Sequence, residues 1–199
     1  MAAYIVLLIA CVLPVLVLGY PTGAGDQACI NLTPQHVGTI SQNSTPPYSL
    51  FVDTNSIKQG GMVTVTLNTT ATNGYFKGFL VQARCTKCTT ADTAIVPGTF
   101  AKYTASDGTI QTKNCAGGDK NSITHTNATE KTSVMFTWKA PGGYDVSQGI
   151  EFRATVVQNL RTWWNTVMSD EISVTTSSCS RSASATAVVI GSIIAALFL

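Results

Sequence analysis

The chain is poor in charge: only 11% of its 199 residues are Asp, Glu, Lys or Arg, for a formal net charge of +2. Lys and Arg are nowhere clustered, which argues against nucleic acid and heparin-like partners. Histidine is scarcer still, with His36 and His125 the only two. Nucleophile elbows, phosphate-cradling glycine loops, dinucleotide fingerprints and paired-carboxylate motifs are all lacking, so catalysis is not expected. A convincing helical period of ten or more residues is lacking as well, which points away from bundles and α/β architectures.

Apolar residues are plentiful, at 45%, but much of the excess sits at the two ends. Residues 4 to 18 form a nearly unbroken apolar run, interrupted by Pro14, and Val17 and Gly19 are small enough for signal-peptidase positions. The expectation is a signal peptide over 1–19, the run being short for a bilayer. At the other end, residues 187–199 are apolar except for Ser192 and follow a polar spacer over 177–186. As a helix those residues would span about 20 Å against about 30 Å of hydrocarbon. Small residues, a polar spacer and a short apolar terminus match a glycosylphosphatidylinositol (GPI) signal, with attachment expected at Ser178. A short membrane segment is the alternative. Between the ends lies one domain, expected over 20–176, long enough for a sizeable core.

Cys11 would leave with the signal peptide, and Cys29, Cys85, Cys88, Cys115 and Cys179 would remain. Anchoring at Ser178 would remove Cys179 and leave an even four, as suits an oxidising compartment. Asn31, Asn43, Asn68 and Asn127 each head an N-glycosylation sequon, with Pro46 directly after the Asn43 sequon. These features agree on the cell exterior: the outer face of the plasma membrane through a lipid anchor, or secretion.

Strands dominate the interior. Residues 20–47 have no sustained period and read as an irregular amino-terminal arm. Tyr48–Thr54, Met62–Asn68, Gly98–Tyr103, Lys131–Trp138, Ile150–Gln158, Thr162–Met168 and Glu171–Thr176 read as strands, with Val63, Val65 and Leu67 facing inward. Residues 104–118 read as loop. The stretch Asn73–Arg84 opens on an Asn-Gly turn signal and runs into a segment apolar on both faces. Phe79, Val81 and Ala83 share one face with Lys77, and Gly78, Leu80 and Gln82 share the other. That pattern suits a central strand covered on both sides, with a large side chain over Gly78; Trp138 from the facing sheet is the candidate. The fold class expected is all-β, an antiparallel immunoglobulin-like β-sandwich with Greek-key connections and seven to nine strands.

Several segments, in order along nearly the whole mature chain, resemble the reeler domain family. They include Tyr20-Pro21-Thr22-Gly23-Ala24, Pro34-Gln35-His36-Val37-Gly38, Phe76 to Arg84 and Gly98-Thr99-Phe100. Asn114-Cys115, Trp138-Lys139-Ala140-Pro141, Phe152 to Gln158 and Thr162-Trp163-Trp164 continue the match. The layout is similar to the single-domain insect defense proteins, and the module also occurs in reelin, F-spondin and the ferric-chelate reductases. The resemblance implies the same sandwich and a disulfide from Cys29 to Cys115. Two departures stand out. Residues 142–149 hold no cysteine that could form the family's usual carboxy-terminal bridge, and Cys85 and Cys88 are additional.

The Cys85-Thr86-Lys87-Cys88 spacing suits a local disulfide, a redox pair or half a zinc site, and Cys179 is a further possible partner. His36 and His125 bracket the two cysteines implied to pair, so they could meet as a two-histidine metal or haem site, or serve structurally beneath the arm. Trp163 and Trp164 are adjacent, which turns one inward and offers the other as a ligand-stacking surface. By resemblance, the function implied is binding of a microbial surface glycolipid or glycan in innate defense. The alternatives are adhesion to an extracellular protein and an iron- or haem-handling accessory role. No resident cofactor is implied.

Overall fold

A computed structural model describes residues 20–88, 95–105 and 107–176. The expected signal peptide, Ser178, Cys179 and the apolar carboxy terminus therefore lie outside the described residues. One helical turn, α1 (Ala28–Asn31), interrupts the arm. The strands follow as β1 (Tyr48–Val52), β2 (Ser56–Lys58), β3 (Met62–Thr69), β4 (Gly78–Cys85), β5 (Thr99–Lys102) and β6 (Ile110–Lys113). Then come β7 (Ser122–His125), β8 (Ser133–Lys139), β9 (Ile150–Asn159), β10 (Thr162–Met168) and β11 (Ser173–Thr175).

Two antiparallel sheets face each other, one ordered β1-β3-β8-β5 and the other β10-β9-β4-β7-β6. Nine strands thus make the sandwich expected from the alternation. β2 and β11 add a small parallel pair outside it. The core is the sum of the inward-facing parities. Val63, Val65 and Leu67 of β3 and Val134, Phe136 and Trp138 of β8 meet Phe79, Val81 and Ala83 of β4 and Phe152, Ala154 and Val156 of β9. Trp138 and Phe152 pack edge to face, with ring centroids 5.6 Å apart, a geometry that adds to the burial of apolar area.

β4 lies third of five in its sheet, and all eight of its residues are buried. Its inner face belongs to the sandwich, and its outer face lies under the amino-terminal arm. The strand starts at Gly78 rather than in the turn before it. Asn73 takes a left-handed φ of 56°, and Phe76 forms only an isolated bridge to Lys131.

Three strands escape the sequence reading: β2, β6, which falls inside the stretch 104–118 read as loop, and β7, whose segment was given no element. β7 reads Ser-Ile-Thr-His, yet all four residues are buried. Its polar side chains are buried among hydrogen-bond partners from the arm and from β4, which an alternation rule cannot anticipate. The expected cover of Gly78 by Trp138 is also corrected. A Cβ at Gly98 would lie 2.2 Å from Trp138 Cζ2, whereas one at Gly78 would meet His125 Cε1 at 3.0 Å. Trp138 therefore caps Gly98, and His125, at the end of the neighbouring strand, caps Gly78.

Candidate functional site: a pocket beneath the amino-terminal arm

The arm is fastened to the outer face of the five-stranded sheet at successive points. Cys29 in α1 is bridged to Cys115 in the β6–β7 connection. From β4, the Gln82 amide donates to the Cys29 carbonyl at 3.1 Å and to Ser122 Oγ at 3.1 Å. The buried Arg84 guanidinium donates to the carbonyls of Ile30 at 3.0 Å and Cys29 at 3.3 Å, capping the open end of the helical turn. Ala24 N–H donates to Thr124 Oγ1 at 3.0 Å, and Thr155 Oγ1 donates to the Leu32 carbonyl. Further along, Gln42 N–H donates to the Trp163 carbonyl at 2.9 Å. Buried polar groups on a sheet face are costly unless paired, so Gln82, Arg84 and Thr124 make docking of this arm part of the fold.

Between arm and sheet a pocket of about 340 Å³ remains. Gly78 and Leu80 of β4 and Thr155 and Val157 of β9 form its floor, and Pro21, Ala24, Ala28, Leu32 and Pro34 of the arm form its roof. Lys77, Asn159 and Leu160 stand at the exposed rim. The bare α-carbon of Gly78 keeps the floor open beside His125.

His36 and His125 both line this pocket, so the structure brings together the two histidines that the sequence placed on either side of the bridged cysteines. Phe79 N–H donates to His125 Nδ1 at 3.1 Å, and His125 Nε2 lies 3.0 Å from the Tyr20 carbonyl. A donor at one nitrogen and an acceptor at the other suit a neutral ring protonated at Nε2, with the Phe79 carbonyl also 3.2 Å from Nδ1. Burial holds His125 below the usual imidazole value, while the Tyr20 and Phe79 carbonyls pull upward and Lys131 pushes down. With both nitrogens occupied, His125 acts as a clamp on the arm. Burial also lowers His36, opposed by its bond to the Leu160 backbone, and its Nδ1 is buried without a hydrogen-bond partner. Among the described residues, no group of three or more His, Cys, Asp or Glu is placed to hold a metal ion.

The two tryptophans are corrected as a stacking surface. They do alternate, Trp163 pairing with Val157 on the outer face and Trp164 with Val156 toward the core. Both are nonetheless buried. The Trp163 indole N–H donates to Thr39 Oγ1 of the arm at 3.0 Å, and that of Trp164 to Ser44 Oγ at 3.2 Å. The outward ring is thus covered by the arm instead of being open to a ligand.

Cys85 and Cys88 form the local bridge. Gln148 Oε1 sits 3.2 Å and 2.9 Å from their two sulfurs, and Lys87 pairs with Glu171 at 3.1 Å. Residues 89–94 of the same loop lie outside the described residues. Of the sequon asparagines, Asn31 and Asn43 are exposed, while Asn68 and Asn127 are half-buried. Asn68 lies on β3 between Ser49 and Ser133, and Asn127 Oδ1 accepts from Thr129 N–H of its own sequon at 3.2 Å.

A family model for the reeler domain matches residues 27–180. The chain belongs to the reeler family. It is 30% identical over 174 residues to Putative defense protein 3 of Antheraea mylitta, covering 87% of this chain and 97% of that one. It is also 34% identical over 158 residues to Putative ferric-chelate reductase 1 of Danio rerio, but spans only 26% of that longer protein. The human F-spondin reeler domain superposes with a TM-score of 0.53 at 22% identity, covering 70% of this chain and 96% of the domain, which supports the shared sandwich. A reeler protein with two disulfide bridges among its described residues and defense-protein relatives fits an extracellular or secreted setting, where such bridges persist. The same relatives fit a non-enzymatic role, since the reductase name belongs to a protein mostly outside the matched segment.

Proposed function

We propose that this reeler protein is a binding module of innate defense that recognises microbial surface glycolipids or glycans at the outer face of the cell. The observation that carries the reading is its match to a defense protein over 97% of that protein's length. The matched reeler domain is then nearly the whole of the relative, and the relative's role has to reside in it. The pocket beneath the arm and the loop closed by Cys85 and Cys88 are the two candidate recognition elements. A GPI anchor at Ser178 and glycans on the sequon asparagines complete the proposal.

The test is a binding screen of the purified protein against lipopolysaccharide, peptidoglycan and whole bacteria. Saturable binding to any of these supports the reading, and binding to none sinks it. Binding only to host matrix proteins would transfer the role to adhesion. Treatment of expressing cells with phosphatidylinositol-specific phospholipase C tests the anchor: release into the medium is expected, and retention would argue for a spanning segment.

A further inference from the structure

We infer that the pocket beneath the arm binds a single aliphatic chain bearing an anionic end group. Its volume of about 340 Å³ equals roughly eleven waters and lies near the small end of ligand pockets. That is room for one chain rather than for a two-tailed lipid. Leu32, Leu80, Val157 and Leu160, with alanines and prolines of the arm, supply an apolar wall.

Most polar groups of the wall are already engaged. Thr155 Oγ1 is committed to the Leu32 carbonyl, and both nitrogens of His125 are held by Phe79 and Tyr20. The Gln35 amide donates to the Thr33 carbonyl at 3.2 Å, and Asn159 Oδ1 accepts from Arg161 N–H at 3.0 Å. Sugar recognition needs a fan of free donors and acceptors, and this wall offers few, so an aliphatic ligand fits it better. His36 Nδ1, buried without a hydrogen-bond partner, adds one unengaged polar point to the wall.

Charge fixes the end group. Among the described residues no Asp or Glu lines the pocket, and Lys77 brings the one formally charged side chain to its wall. The Lys77 ammonium meets Glu130 at 3.6 Å, with both side chains well exposed, and lies 5.6 Å from the Tyr75 ring centre. An exposed pair of this kind is weak, so a ligand carboxylate or phosphate can displace Glu130 at small cost.

Displacement of cis-parinaric acid, a fluorescent fatty acid, tests the inference on delipidated protein purified from eukaryotic cells expressing the full chain. Saturable one-to-one displacement by laurate is expected, with the uncharged methyl ester roughly fivefold weaker, the scale of one exposed ion pair. Lauroyl lysophosphatidate in parallel tells a phosphate end from a carboxylate, and either fits. Val157→Trp, half-buried at the pocket floor and outside the sandwich core, should abolish displacement while leaving the melting temperature near that of the parent. Lys77→Gln, at the rim and outside the core, should bring laurate down to the ester's affinity. Absence of saturable binding, or full binding by folded Val157→Trp, would overturn the pocket assignment. Unchanged laurate affinity in Lys77→Gln would overturn the anionic end. The inference stands apart from the defensive role: protein that takes laurate and ignores bacteria keeps the pocket and loses that role.

Discussion

Replacing Cys29 and Cys115 together by serine should destabilise the domain by about 4 kcal/mol. The bridge joins residues 86 apart in sequence. In the chain-entropy treatment such a loop removes about 15 cal/mol/K from the unfolded ensemble, or about 4.6 kcal/mol at 25 °C. Losses for native disulfides run at about 2–5 kcal/mol, so the calculated figure stands near the top of that range. For a domain of this size the melting temperature should fall by about 8–16 °C. The Cys85–Cys88 bridge, with a separation of 3, gives only about 1.6 kcal/mol by the same expression. The two double-serine variants therefore form an internal comparison. Urea unfolding with matched m-values would measure both, and amide exchange would locate the effect. Ala24 N–H, bonded to Thr124 just ahead of the bridge, should lose protection well before Gln42 N–H, which is bonded to the Trp163 carbonyl farther along the arm. A loss below about 1 kcal/mol for the long bridge, or equal losses for the two, would refute the loop-entropy reasoning. The arm would then be held chiefly by its hydrogen bonds to Gln82, Arg84, Thr124, His125, Thr155 and the two indoles.

Gly98→Ala should cost about 1–3 kcal/mol or more by overpacking, because its Cβ would fall 2.2 Å from the buried Trp138 ring. Gly78→Ala should cost less, since the contact is 3.0 Å to His125, but it should loosen the arm at Tyr20; thermal melts of both variants, with Ala24 exchange as the local probe, would expose a reversed order. Stability should also fall as pH drops from 6.5 toward 5. His36 and His125 both have folded values below 6.5, so the unfolded chain binds more protons there, and the slope is at most about 1.4 kcal/mol per pH unit per histidine. Asp26, Asp145 and Glu171 have values below the usual carboxylate range and act only in more acid solution, so a flat profile between pH 6.5 and 5 would contradict the histidine assignment. Peptide-N-glycosidase should reduce the apparent mass of protein from eukaryotic cells, and an unchanged mass would remove the glycans from the proposal.

The sandwich was legible in the sequence where burial is apolar and periodic. β3 and β8 alternate cleanly, and both appear within a residue or two of their expected bounds. It was illegible where polar residues are buried. β7 and the outer face of β4 carry Ser122, Thr124, Gln82 and Arg84, whose burial depends on the arm folding back over them. That return is set by a bridge spanning 86 residues, a constraint with no local signature. The same limit hid the pocket, which is a gap left between two docked pieces and not a motif in either. The cover of Gly78 is a different case, because the information was present. Gly78 shares its parity with Leu80 and Gln82, while Trp138 packs against Phe152 on the opposite, inner side of the sheet. Period-two alternation alone therefore excludes Trp138 from Gly78 and requires a cover from the arm side or from a neighbouring strand end. His125 meets that requirement, and in doing so joins the most recognisable strand of the chain to the first residue of the arm.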